Sequence, residues 1–151
     1  MYQKVLVPLD GSELAECALS HVKTLVKGGA AGEVIILNVI VVYIPGRNDY
    51  SGLIDINAVR ESLFMESGRY LADVESRFAS DGITVKTVSL EGNRPADVIS
   101  DYAQENGVQL IVIATHGYTG LKKVMFGSVA LRVLHDSHVP ILLIRPESCR
   151  G

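Results

Sequence analysis

The stretch Val108–Val129, VQLIVIATHGYTGLKKVMFGSV, decides how the chain is read. Its opening, Val108 to Ile113, is a short run rich in β-branched residues, as a buried strand requires. From Ser128 onward the apolar residues recur at helical spacing. Glycines stand between, at 117, 120 and 127. A turn needs one glycine or two. A longer glycine-bearing loop that runs from a buried strand to a helix N-terminus is suited to holding something.

The same alternation extends outward. Lys4 to Leu9 reads as strand one. Asp10-Gly11-Ser12-Glu13 then opens a helix, with Asp10 or Ser12 as its cap. Leu14, Ala18, His21, Val22 and Leu25 carry that helix to about Val26, and Gly28-Gly29 ends it. Glu33 to Val42 is strand two, with a core apolar on both faces. Pro45 to Asn57 is loop chemistry. Ala58 to Ala79 is a long amphipathic helix, with Val59, Leu63, Tyr70, Leu71, Val74 and Phe78 inward. Thr84 to Leu90 is strand three, Pro95 suits a first helical position, and Ala96 to Glu105 is the third helix. Strand four is Val108 to Ala114, the fourth helix Ser128 to His135, and strand five Val139 to Ile144.

Strands alternating with helices predict an α/β fold, a doubly wound five-stranded parallel sheet with four helices and strand order 3-2-1-4-5. A single domain is expected over residues 1–151. Such sheets bind ligands at strand carboxyl ends, where the strand order reverses. Three segments should meet there: Pro8-Leu9-Asp10, Val39 to Val41, and the glycine loop.

Net charge is −3, which argues against a broad nucleic-acid-binding face. No apolar run approaches a membrane span. The N-terminal MYQKVLVPLDGSE enters a strand directly, without the basic and apolar regions of a signal peptide. The two cysteines, Cys17 and Cys149, show no metal or redox spacing and are expected as free thiols in a reducing compartment. A cytoplasmic protein is expected.

The loop's chemistry is that of a phosphate site. Backbone N–H groups converge where no Cβ obstructs them, and a helix N-terminus adds free donors and positive potential. Ser128 adds a hydroxyl, and Lys122 and Lys123 add charge. Asp10 is placed to accept from ribose hydroxyls, and Val39 to flank a purine. There is no Walker A loop, since Gly127 is followed by Ser128-Val129 and not by Lys-Ser or Lys-Thr, and no GxGxxG follows strand one.

These residues resemble the universal stress protein family. Pro8-x-Asp10, the ATHGYTG segment, the Gly127-Ser128 helix start and VPILLIRP (Val139 to Pro146) carry the likeness, which covers essentially the whole chain. The family's ATP-binding branch has the pattern G-x2-G-x9-G-[ST]. Gly117, the nine residues Tyr118 to Phe126, Gly127 and Ser128 match it, whereas the first glycine is replaced by Ala114. Tyr118 stands where many relatives have Arg. The resemblance implies a Rossmann-like fold of the adenine nucleotide alpha hydrolase type and a homodimer paired through Val139 to Ile144. It also implies a stress-linked regulatory role. The implied ligand is ATP, AMP or ADP, with Mg²⁺ accompanying a triphosphate. The implied pocket is lined by Pro8, Leu9, Asp10, Val39, Ala114, Thr115, His116, Gly117, Gly127, Ser128 and Val129. No catalytic residue or protein-held metal is expected, and at most weak ATP hydrolysis.

Plainer roles compete. Asp10 and Ser128 can be helix caps, and Gly117 and Gly127 can serve turn geometry alone. His116 is a candidate general base, with a packing role preferred. His135 and His138 lack further ligands, so a histidine near a helix C-terminus is preferred to a metal site. A nucleotide-free interaction module and a slow ATPase remain the alternatives to a nucleotide-binding regulator.

Overall fold

The computed structural model describes residues 1–42, 55–115 and 125–145, with the backbone alone at 125–127. Strand β1 is Tyr2–Leu9, followed by helices α1 (Glu13–Glu16) and α2 (Ala18–Lys27). Then come β2 (Ala31–Ile40), α3 (Ile56–Ala79), β3 (Lys86–Glu91) and α4 (Pro95–Glu105). The chain closes with β4 (Leu110–Ala114), α5 (Met125–Asp136) and β5 (Ile141–Ile144). All five strands are parallel, in the expected order β3-β2-β1-β4-β5.

Burial follows from that order. Leu110 to Ala114 is buried throughout, as is Val5 to Leu9, because β1 and β4 lie inside the sheet with helices over both faces. The edge strands β3 and β5 are only partly covered. Phe78, Leu6, Ile36, Ile99 and Ile111 are among the largest fully buried side chains of the core.

Pro8 shapes the centre of the sheet. Lys4 offers its carbonyl to the Gln109 N–H at 2.9 Å. Backbone polar groups alternate sides along a strand, so from Lys4 onward the even-numbered residues of β1 address β4. Next after Leu6 in that series is Pro8, which has no N–H to give. The β1–β4 register accordingly holds only Val5↔Leu110 and Leu6↔Ile111, whereas β1 stays paired with β2 through Leu9↔Asn38. The two strands are thus unpaired at their carboxyl ends, where the strand order reverses.

Several local expectations change. The first helix is broken at Cys17, which closes α1 and opens α2, so five helical pieces fill four crossovers. Helix α3 begins earlier than expected, because Asp55 caps it by accepting from the N–H groups of Asn57 (3.0 Å) and Ala58 (3.2 Å). Val59 in its first turn is 38% exposed and not inward. Helix α5 begins at Met125, so Gly127 and Ser128 fall within its first turn and Ser128 is not the cap. Cys17 is disulfide-bonded and not a free thiol, which removes the thiol argument for a reducing compartment. Cys149 lies outside the described residues. No described helix is long and apolar enough to cross a membrane.

Candidate functional site

The end of β1 is held by two side chains. Gly11 has φ +89°, a left-handed conformation that glycine adopts without strain, and it turns the chain sharply after Asp10. That turn brings Ser12 back to Asp10, whose Oδ1 accepts from the Ser12 N–H (2.9 Å) and hydroxyl (2.6 Å). Ser12 Oγ in turn accepts from the Ala15 N–H at 3.1 Å and caps α1. On the other side, Asn38 Nδ2 donates to the Leu9 carbonyl at 2.8 Å.

Asn38 is tied further back. Ser67 Oγ donates to Asn38 Oδ1 at 2.7 Å and lies 2.6 Å from Ser89 Oγ. Ser67 is a buried polar side chain at 5% exposure, on the α3 face that carries Leu63 and Leu71. Its hydroxyl is satisfied, as burial requires.

Around these groups lies a cavity of about 230 Å³. Asp10, Gly11, Asn38, Val39, Ile40 and Val41 form its strand side, and Leu63, Glu66, Ser67 and Tyr70 its α3 side. Pockets for whole drug-sized ligands begin at roughly 300 Å³, so this space suits one end of an extended ligand. Its described lining carries two carboxylates, Asp10 and Glu66, and neither Lys nor Arg. Such a lining disfavours a phosphate and suits neutral groups that donate hydrogen bonds. Tyr70 donates to Glu16 Oε2 at 2.6 Å, and Arg77 donates to Glu16 Oε1 at 3.0 Å. Burial first, then the hydrogen bond to the Glu16 carboxylate, pushes the Tyr70 phenol far above its ordinary range. Tyr70 is therefore a neutral donor and not a base.

A second cavity, of about 320 Å³, lies between the starts of α4 and α5. Asn93, Arg94, Pro95, Ala96 and Asp97 line one side, and Ser128, Val129 and Arg132 the other. Two arginines give it the opposite electrostatic character, although each also has a carboxylate neighbour: Arg94–Asp97 at 3.8 Å and Arg132–Asp136 at 3.4 Å. Arg94 is the N-cap of α4 but makes no side-chain capping bond, so α4 presents a backbone-only N-terminus there.

The expected site residues are thus divided. Asp10 and Val39 share the acidic cavity, and Ser128 and Val129 the basic one. Leu9 is buried, and Pro8 lies beside it in β1. Ala114 is buried in extended backbone beside Ile144, and no described non-glycine residue has positive φ, so alanine there carries no backbone strain. Thr115 continues the strand by donating its N–H to the Ile144 carbonyl at 2.9 Å. Gly127 is in the first turn of α5. His116, Gly117, Tyr118, Lys122 and Lys123 lie outside the described residues. His135 lies in the last turn of α5, 2.8 Å from Asp136, and His138 lies beyond the helix. Sequence reasoning missed Asn38, Ser67 and Ser89. A signal existed for Asn38, the polar interruption in EVIILNVIVV, and for Ser67, which stands four residues from both Leu63 and Leu71.

The model of the universal stress protein family matches residues 1–145. A universal stress protein of Methanocaldococcus jannaschii, MJ0577, is 33% identical over 98% of this chain and 98% of its own. The chain belongs to the universal stress protein family. The solved structure of MJ0577 superposes with TM-score 0.76 at 34% identity, covering 96% of each chain. Two more distant universal stress proteins share the fold. One from Archaeoglobus fulgidus was solved in complex with dAMP, with TM-score 0.63, 22% identity and coverage of 95% and 98%. Another was solved in complex with cAMP, with TM-score 0.58, 21% identity and coverage of 96% and 98%.

Proposed function

We propose that this universal stress protein binds an adenine nucleotide across the carboxyl ends of its strands and acts as a stress-linked regulator without fast turnover. The observation that carries the proposal is the cavity beside the carboxyl ends of β1 and β2, next to the switch point. It is lined by Asp10, by the aliphatic side chains of Val39, Ile40 and Val41, and by further acceptors, without a described cation. Such a lining fits the nucleoside end: carboxylates accept from ribose hydroxyls, and aliphatic side chains flank a purine. The phosphates run toward β4 and α5, where the first turn of α5 and Ser128 supply donors and positive potential. The dAMP and cAMP complexes of family members support the ligand class.

ATP, AMP and ADP are the ligands considered. Among the described residues no group of three or more His, Cys, Asp or Glu could hold a metal ion. A Mg²⁺ ion would therefore ride on the triphosphate, whose oxygens suit it. The protein's part is to bind and orient, and Tyr70, held neutral, supplies no base. A homodimer through β5 and a cytoplasmic location complete the proposal.

Calorimetric titration of the purified protein with ATP and AMP, with and without Mg²⁺ and after removal of co-purified nucleotide, tests it. Saturable binding at one site per chain is the expected result. No heat and no thermal shift with any of these nucleotides would overturn it in favour of a nucleotide-free interaction module.

A further inference from the structure

The cavity's two sides are joined by a directed chain of hydrogen bonds. The Leu9 carbonyl only accepts, so the amide nitrogen of Asn38 must face it at 2.8 Å. Asn38 Oδ1 is then an acceptor and takes the single Ser67 hydroxyl proton at 2.7 Å. With its proton committed, Ser67 Oγ can only accept from Ser89, 2.6 Å away. The order is fixed as Ser89 to Ser67 to Asn38 to the Leu9 carbonyl. It links β3, α3, β2 and the last residue of β1, next to Asp10.

We infer that Ser89 is a positioning residue for the nucleoside end of the ligand. It does not line the cavity, yet it is the terminal donor of the chain that orients Ser67 and Asn38, which do. Asn38 immediately precedes Val39, and its amide holds the carbonyl from which Asp10 departs. Removing the Ser89 hydroxyl leaves a buried Ser67 oxygen without its donor. It frees Ser67 to rotate and loosens the spacing between α3 and the exit of β1. A ligand end held between those sides loses affinity, and a phosphate held elsewhere does not. The inference rests on the nucleotide proposal above.

Full-length wild type, Ser89→Ala and Ser89→Thr, titrated with adenosine, ATP and inorganic tripolyphosphate, test it. Ser89→Ala should weaken adenosine and ATP by the same factor, about five- to tenfold, as expected for one lost hydrogen bond. Ser89→Thr, which keeps Oγ, should restore both, and tripolyphosphate should bind all three proteins alike. Unchanged adenosine affinity in Ser89→Ala would overturn the positioning role, as would failure of the threonine to rescue. Equal weakening of tripolyphosphate would reduce Ser89 to a general structural role and overturn it as well. Wild type that binds neither adenosine nor ATP would instead overturn the nucleotide proposal, and this inference with it.

Discussion

Asp10 and Ser12 form a closed pair: one carboxylate oxygen accepts both the backbone N–H and the hydroxyl of Ser12. The hydroxyl's remaining capacity caps α1 through Ala15. Asp10 is thus the support of the cap, and Ser12 is the cap itself.

The pairing separates two roles of Asp10. Asp10→Asn keeps the Oδ1 acceptor and should melt within a few degrees of wild type. It replaces the second oxygen with a donor, so ATP affinity should fall about tenfold, the weight of one charge-assisted hydrogen bond. Asp10→Ala should show the same loss of affinity and a further destabilisation of about 1 kcal/mol from the weakened cap. Melting curves and calorimetry on the three proteins check this. Wild-type affinity in Asp10→Asn would remove Asp10 from the ligand.

Tyr70 should be silent in an alkaline titration. The chain has six tyrosines, and burial together with Glu16 holds the Tyr70 phenol neutral well past the usual range. Absorbance titration of wild type and Tyr70→Phe should therefore give the same phenolate signal up to about pH 11. Loss of one tyrosine's amplitude in the variant would contradict the burial of that hydroxyl.

Lys23 stands 2.6 Å from Asp81 and over the Phe78 ring, 5.1 Å from its centroid. The hydrogen bond from Lys23, foremost, lowers the Asp81 carboxyl below its ordinary value of 3.8. A carboxylate depressed on folding stabilises above its unfolded value, and the benefit disappears as pH falls through the folded one. Asp81→Asn should therefore melt below wild type at neutral pH. The gap should shrink on acidification below the ordinary value of 3.8 and close beneath the folded one. A gap constant with pH would mean that the ion pair contributes nothing.

Edge strand β5 and the outer face of α5 expose Leu142 (37%), Leu134 (47%) and Leu131 (60%). An apolar sheet edge of this kind calls for cover, and a second copy supplies it in the proposed dimer. Leu142→Lys should sediment as a monomer at concentrations where wild type sediments as a dimer. Monomeric wild type would dismiss the dimer.

The sheet was legible in the sequence because burial on both faces writes itself as unbroken apolar runs, as in Leu110 to Ala114. The break at Cys17 was not, since Leu14, Ala18 and Val22 keep their helical spacing across it. Asp10 and Val39 were legible as neighbours at strand ends, and both line one cavity. The chain through Ser67 was not, because its partners lie 29 and 22 residues away and no local pattern couples them. The start of α5 is not legible, because glycine followed by serine has the composition of a cap, whereas the helix already runs from Met125.

Pro8 gives the unpaired carboxyl ends of β1 and β4 a kinetic property as well as a shape. Where an ordinary residue would let β1 and β4 zip together in the empty protein, the ring nitrogen has no hydrogen with which to close the seam. A ligand arriving there breaks no backbone pairing in order to enter. Association should then proceed at a rate set by diffusion and dehydration, without a slow opening step, and should accelerate in proportion to ligand concentration without reaching a plateau.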